Sequence, residues 1–190
     1  MNFIKSLKFS DLPNIITIFR VLCIPVIIFC LLPQNTFFNW VALVFFAAAS
    51  ISDFFDGYIA RKYNLESPLG KFLDPIADKI LVISIIFVLV AVSKVSGLLV
   101  IPCLIIVIRE VSVTGLREFF AETKPTINVT NLSKIKTLLQ MFSLAFIIIG
   151  DDFLLLPKLG VVGEFGLWVS SFLTIYTGYV YFKNSLSFFK

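Results

Sequence analysis

Two short stretches carry the most unusual residues of this chain: Asp53-Phe-Phe-Asp56-Gly57-Tyr-Ile-Ala60-Arg61 and Gly70-Lys-Phe-Leu-Asp74-Pro-Ile-Ala-Asp78. They place four aspartates just inside the ends of strongly apolar segments, where a carboxylate is costly unless it has a function. On a helix, spacings of three and four residues put each pair of aspartates on a single face. Two such faces set against each other would form an all-oxygen site for hard divalent cations such as Mg²⁺ or Mn²⁺.

The composition indicates a membrane protein. Of the 190 residues, 58% are hydrophobic, whereas soluble domains are usually about 45–50% apolar. The chain has no histidine, so acid–base chemistry would have to use carboxylates, lysine, tyrosine or water. Its three cysteines lie in apolar stretches without a CxxC pair, which argues against a disulfide framework or a zinc site. The net charge of +4 is mild, and no nucleic-acid partner is expected.

Six apolar segments of about 20 residues predict six transmembrane helices in an all-α integral membrane protein. They cover 13–33, 37–60, 72–93, 96–116, 136–154 and 161–182. The first segment lacks a small-residue cleavage site, so it is predicted to be retained. The positive-inside rule predicts both termini and all four aspartates at the cytoplasmic face of the membrane. No linker divides the chain, which predicts one domain over 1–190.

The connection over 117–135 is polar enough to lie outside the membrane, with room for a short surface helix. Pro75 suits the first turn of a helix, which predicts Asp74 at a helix N-terminus, where the helix dipole favours an anion. Gly57 would let a phosphate or sugar approach the backbone closely. Arg61 follows Asp53 by a little over two helical turns, so it can hold a phosphate on the same face.

A structural interpretation of these residues is also open. The aspartates can pair with neighbouring arginine and lysine side chains as interfacial salt bridges. Asn14 can be a helix cap, Thr17 can bond to its own helix, and Ser67 can serve the turn before Pro68. Four carboxylates together with Gly57 and Arg61 favour the functional interpretation.

The full pattern D-x2-D-G-x2-A-R-x8-G-x3-D-x3-D resembles the signature of the CDP-alcohol phosphotransferases, membrane enzymes of phospholipid synthesis. The resemblance implies six transmembrane helices around a polar cavity open to the cytoplasm, two metal ions (Mg²⁺ or Mn²⁺) and a homodimer. It implies that Asp53, Asp56, Asp74 and Asp78 bind metal and that Asp78 also acts as the base. It assigns the cytidine diphosphate part of the lipid substrate to a set of six residues: Asn14, Thr17, Gly57, Arg61, Ser67 and Gly70.

A second polar cluster bears on the acceptor. It comprises Arg109-Glu110-Val-Ser-Val-Thr-Gly-Leu-Arg117-Glu118 and Lys134-Ile-Lys136-Thr. An arginine inside an apolar run marks a cavity or a partner, and Arg109, Arg117, Lys134 and Lys136 together would suit a phosphate-bearing acceptor. Arg117 and the lysines can also be anchors that reach lipid phosphates.

The sequence of that cluster resembles the corresponding sequence in the branch of the family in which sn-glycerol 3-phosphate attacks CDP-diacylglycerol. The resemblance implies phosphatidylglycerophosphate and CMP as products. Two other interpretations stay open: the same chemistry with inositol phosphate or phosphatidylglycerol as acceptor, and a small cation transporter. A transporter would favour broken helices and an inverted repeat, and the sequence shows neither.

Overall fold

Helix is the only regular secondary structure in the part of the chain that the computed structural model describes, residues 12–63, 68–121, 131–150 and 158–186. Side chains are described for 15–52, 76, 77, 79–116, 132, 134–150 and 158–183. The six helices are α1 (Leu12–Leu31), α2 (Thr36–Tyr63), α3 (Pro68–Ala91), α4 (Val100–Ala121), α5 (Asn131–Ile149) and α6 (Leu159–Leu186). This confirms the all-α class.

The packing divides the chain into two compact units, Met1–Val88 and Leu89–Lys190, with the boundary inside α3. The prediction of a single domain is not tested by this division and stays a prediction.

In the first unit, α1 and α2 pack against each other across a short turn. The Asn35 side-chain oxygen accepts a hydrogen bond from the Phe37 backbone N–H at 2.9 Å, so Asn35 caps the start of α2. Gln34 makes the reversal with a positive φ of 49°. The buried faces are lined by small and aliphatic side chains such as Ile27 on α1 and Ala42 on α2. Small residues let the two backbones approach closely, which is how helices associate in an apolar solvent.

In the second unit, α6 packs against both α4 and α5. Gly163 and Gly166 on α6 lie directly against Ser143 on α5: a Cβ added at Gly163 would stand 2.8 Å from the Ser143 carbonyl oxygen. Toward the C-terminal end of α5, the Lys94 ammonium donates a hydrogen bond to the Ile148 carbonyl at 2.6 Å. Lysine near a helix C-terminus satisfies a carbonyl that has no partner within the helix.

Many large apolar side chains on the outer faces are exposed, among them Phe29 at 72%, Phe87 at 65% and Phe165 at 71%. By length and composition, the described stretches Gly97–Leu116 and Leu159–Lys183 are apolar enough to cross a membrane. Three further apolar stretches are shorter: Ile15–Leu31, Thr36–Ser52 and Lys79–Ala91. The exposed phenylalanines are the surface that a lipid environment would cover.

The helix boundaries differ from the predictions at three points. The connection predicted over 117–135 is shorter, because α4 continues to Ala121 and α5 begins at Asn131. Helix α5 ends at Ile149, before the predicted end at 154, and Gly150 has a positive φ of 57°, a conformation that commonly follows a helix. Helix α3 begins at Pro68 and not near Pro75. The three cysteines are free and buried, which agrees with the absence of a disulfide framework.

Candidate active site

The four motif aspartates lie on two helices of the first unit. Asp53 and Asp56 are in α2, and Asp74 and Asp78 are in α3. The backbone is helical at all four positions, and residues three or four apart on a helix are neighbours. The side chains of all four lie outside the described set, so their convergence on metal ions stays a prediction.

The prediction that Asp74 lies at a helix N-terminus is wrong. Helix α3 begins at Pro68, so Asp74 lies more than one turn inside it. The proline that starts the helix is Pro68, whose fixed φ suits the first helical position and whose missing N–H has no partner to lose there. The dipole argument for Asp74 therefore does not hold, since the effect falls off within the first turn.

The remaining predicted donor-substrate residues are described unevenly. Ser67 lies outside the described residues. Asn14, Gly57, Arg61 and Gly70 belong to helices whose backbones are described, and their side-chain positions lie outside the described set. Their roles toward the cytidine diphosphate stay predictions.

The first half of α1 buries two polar side chains, Thr17 and Arg20. Only Thr17 was predicted from the sequence as a site residue. Thr17 is 1% exposed and Arg20 is fully buried, whereas Ile18 and Leu22 point outward. Arg20 was missed; the signal that would have found it is a lone arginine three residues after Thr17 in an otherwise apolar helix. A buried guanidinium needs polar partners, and both side chains are buried within the chain, so this face of α1 is not a lipid contact.

An apolar groove lies in the first unit, and one of its lining residues directly precedes the first aspartate pair in sequence. It has a volume of about 490 Å³ and runs between α1 and α2, lined by Ile15, Ile16, Phe19, Ala48, Ile51 and Ser52. Ser52 immediately precedes Asp53 in α2. Apart from the Ser52 hydroxyl, which donates to the Ala49 carbonyl at 2.8 Å, the described side chains that line the groove are hydrocarbon.

In the second unit, Arg109, Glu110, Lys136 and Thr177 form one buried cluster, called here the Glu110 cluster. Arg109 donates to the Glu110 carboxylate at 3.1 Å and to the Thr177 hydroxyl at 3.4 Å. Lys136 donates to the same carboxylate oxygen of Glu110. Helices α4, α5 and α6 each contribute to the cluster, and it brings together two of the four predicted acceptor-phosphate residues.

The other two predicted acceptor residues are placed differently. Lys134 is exposed, two residues before the buried Lys136, because residues two apart on a helix point to different sides. Arg117 is in the last turns of α4, and its side chain lies outside the described set. Glu110 is next to Arg109 in sequence, and the sequence allowed it the role of orienting the arginines, which its bond to Arg109 matches. Thr177 was not predicted, and it gives no signal in sequence beyond a hydroxyl on an apolar helix.

The predicted metal site depends on the motif carboxylates. Among the described side chains, no group of three His, Cys, Asp or Glu residues is placed to hold a metal, and the candidate ligands of the motif are not among those side chains. Four carboxylates with no histidine or paired cysteine form a donor set that fits Mg²⁺ or Mn²⁺ and does not fit a soft metal.

The comparisons with known proteins identify the class. The sequence model of the CDP-alcohol phosphatidyltransferase family matches residues 10–176, and the chain belongs to this family. A relative from Rickettsia felis is 48% identical over 180 residues, covering 95% of this chain and 98% of its own length. It is named CDP-diacylglycerol–glycerol-3-phosphate 3-phosphatidyltransferase.

More distant relatives carry the same name. One from Bacillus subtilis is 33% identical, covering 92% of this chain and 95% of its own length. One from Escherichia coli is 35% identical, covering 73% of this chain and 76% of its own length. The resemblance drawn from the aspartate motif is thereby confirmed at the level of the family.

Proposed function

We propose that this chain transfers a phosphatidyl group from CDP-diacylglycerol to sn-glycerol 3-phosphate, giving phosphatidylglycerophosphate and CMP. The observation that carries the proposal is the 48% identity with a relative of that name over nearly the full length of both chains. The complete aspartate motif supports it, because a chain that had lost the chemistry would not need four carboxylates in apolar helices. The Arg109 and Lys136 cations support an acceptor that bears a phosphate.

For the donor substrate, Asp53, Asp56, Asp74 and Asp78 would hold two divalent ions. When bound, such ions supply charge neutralisation for the diphosphate and for the departing CMP. Arg61 would hold a phosphate oxygen, and Gly57 would leave room for it beside α2. Asn14, Thr17, Ser67 and Gly70 complete the proposed cytidine diphosphate site.

In the reaction, the C1 hydroxyl of glycerol 3-phosphate forms the new bond to the β-phosphorus, and the bond from that phosphorus to CMP breaks. Asp78 would accept the hydroxyl proton as the bond forms. A carboxylate with a pKa near about 3.9 is a weak base in water, so its contribution depends on being held within hydrogen-bond reach of the hydroxyl.

The groove between α1 and α2 supports a lipid donor. Its lining by described side chains is almost entirely hydrocarbon, and it includes Ser52, the residue before Asp53. An acyl chain placed there would be removed from contact with polar groups while its headgroup lay at the aspartates. We assign this groove to an acyl chain of CDP-diacylglycerol.

The acceptor phosphate would be bound by Arg109, Arg117, Lys134 and Lys136. Arg109 gives the most direct support, because its Nε–H is buried and has no hydrogen-bond acceptor among the described residues. A buried donor without an acceptor is unfavourable, and a phosphate oxygen would satisfy it.

The membrane arrangement is part of the proposal. Six spans, a polar cavity open to the cytoplasm, both termini on the cytoplasmic side of the cell membrane, and a homodimer follow from the resemblance and from the basic residues of the cytoplasmic segments. The exposed apolar faces of the described helices support contact with lipid.

The test is CMP release by the purified protein in detergent with CDP-diacylglycerol, Mg²⁺ or Mn²⁺, and one acceptor at a time. Glycerol 3-phosphate should support turnover, whereas serine and free inositol should not. Asp78→Asn should abolish turnover, and Glu164→Gln, a carboxylate on α6 outside the proposed site, should leave it unchanged. Rapid turnover with serine, or with inositol phosphate in place of glycerol 3-phosphate, would overturn the acceptor assignment.

A further inference from the structure

One carboxylate in the second unit serves two cations from different helices. The Oε1 atom of Glu110 on α4 accepts from Arg109 Nη1 at 3.1 Å and from Lys136 Nζ on α5. The side chains are 13% exposed for Arg109, 4% for Glu110 and 1% for Lys136. Buried ion pairs are held rigidly when their geometry is good, and removing one partner leaves an uncompensated charge.

The far side of the Arg109 guanidinium is held by α6. Its Nη2 donates to the Thr177 hydroxyl oxygen, and that hydroxyl donates its own proton to the Leu173 carbonyl at 2.8 Å. The hydroxyl therefore presents a lone pair to the arginine. The arginine stem also lies on α6, since a Cβ added at Gly178 would stand 3.3 Å from Arg109 Cγ. A carboxylate on one side and a hydroxyl on the other leave the guanidinium little freedom to rotate.

One donor of the Arg109 guanidinium is left over by these contacts. The Arg109 Nε–H is buried and lacks an acceptor among the described residues. A buried donor without an acceptor is unfavourable, and an anion beside Arg109 would satisfy it.

We propose that Glu110 is a positioning residue for the acceptor substrate: it holds Arg109 and Lys136 in place so that the Arg109 Nε–H meets the acceptor phosphate, with Thr177 fixing the far side of the guanidinium. This inference rests on the proposed function and adds two residues to it, neither of which touches the substrate.

The test separates the Michaelis constants of the two substrates. Glu110→Gln keeps the size of the side chain and one acceptor oxygen but removes the charge. We expect the KM for glycerol 3-phosphate to rise about tenfold and the KM for CDP-diacylglycerol to change less than about twofold, because only acceptor contacts are displaced. Glu164→Gln is the matched control and should change neither constant.

Variants of Thr177 provide an independent test of the inference if Glu110→Gln does not fold. Thr177→Val keeps the shape but removes the lone pair that Arg109 uses, and should raise the KM for glycerol 3-phosphate about threefold. Thr177→Ser keeps the hydroxyl and should restore the wild-type value. Gel filtration and a thermal melt establish that each variant is folded.

Three results would overturn the inference. Unchanged constants in folded Glu110→Gln protein, with only a lower melting temperature, would show a structural role. A lower KM for glycerol 3-phosphate would show that Glu110 merely repels the phosphate. Equal effects of Thr177→Val and Thr177→Ser would remove the hydroxyl from the argument. Wild-type protein that releases no CMP with glycerol 3-phosphate would instead refute the proposed function itself.

Discussion

Gly163 on α6 should not tolerate alanine. An added Cβ would stand 2.8 Å from the Ser143 carbonyl oxygen, 2.9 Å from Ile147 Cγ1 and 3.0 Å from Phe146 Cβ. The carbonyl and the Phe146 Cβ belong to the rigid part of α5, so neither can move without moving the helix. Ordinary van der Waals contact begins at 3.4 Å, so the two helices would have to separate by several tenths of an ångström.

The magnitude follows from the dispersion energy that the α5–α6 interface gives up when the helices separate. A gap of about 0.5–1 Å forfeits a quarter to a half of each dispersion well along that interface. Overpacking of this kind typically costs about 1–3 kcal/mol. Alanine is favoured over glycine in a helix by about 1 kcal/mol, which offsets part of that cost. The net cost is about 1 kcal/mol, so we expect Gly163→Ala to lower the melting temperature in detergent by about 2–4 °C.

Two further glycines serve as comparisons. Gly115 on α4 has nothing within 4 Å of an added Cβ, so Gly115→Ala should leave the melting temperature unchanged or raise it. Gly166→Ala would overlap the Ser143 hydroxyl, which can rotate away if it gives up its 2.7 Å bond to the Leu139 carbonyl. Adding Ser143→Ala removes the hydroxyl but keeps the Ser143 Cβ, which would stand 3.2 Å from the added Cβ. It should therefore rescue Gly166→Ala in part and Gly163→Ala not at all. Equal melting temperatures for Gly163→Ala and Gly115→Ala would refute the close approach of α5 and α6.

Three other outcomes are expected. Ala48→Phe should fill the groove between α1 and α2 and raise the KM for CDP-diacylglycerol several-fold, without changing the KM for glycerol 3-phosphate. A change in the KM for glycerol 3-phosphate alone would contradict the assignment of the groove. Lys94→Met should remove the bond to the Ile148 carbonyl and destabilise the protein by about 1 kcal/mol, measured as a lower melting temperature beside a Lys158→Met control. Removal of divalent ions with EDTA should stop CMP release, and added Mg²⁺ or Mn²⁺ should restore it. Ca²⁺ should restore less activity, because it prefers more ligands at longer distances. Activity that survives EDTA would contradict the metal site.

The helices were predictable because each apolar segment is long and is bounded by polar residues. Their ends were less predictable, since polar side chains do not by themselves end a helix. Residues 117–121 and 131–135 are polar enough to suggest a connection, yet they continue α4 and α5. Pro75 suggested a helix start because proline suits the first turn, but Pro68 offers the same advantage earlier and begins the helix.

The part of the candidate site that a fixed sequence spacing defines was predictable. The aspartate pairs needed only the knowledge that their segments are helical. Arg20, Glu110 and Thr177 depend on contacts between helices, and no local spacing encodes which face of a helix meets which neighbour. Lys134 and Lys136 show the limit most simply: the two lysines are equivalent in composition, and only the rotation of α5 makes one exposed and the other buried.

Helix α5 is pinned near each of its ends. Lys136 is tied to Glu110, and the Ile148 carbonyl is tied to Lys94. At about 1.5 Å per residue, these attachments lie about 18 Å apart along the axis. With these two attachments, α5 can neither rotate about its axis nor shift along it without breaking one of the two bonds. Lys94 therefore helps to determine that Lys136 is buried and Lys134 is exposed, although it contacts α5 at the opposite end from both lysines.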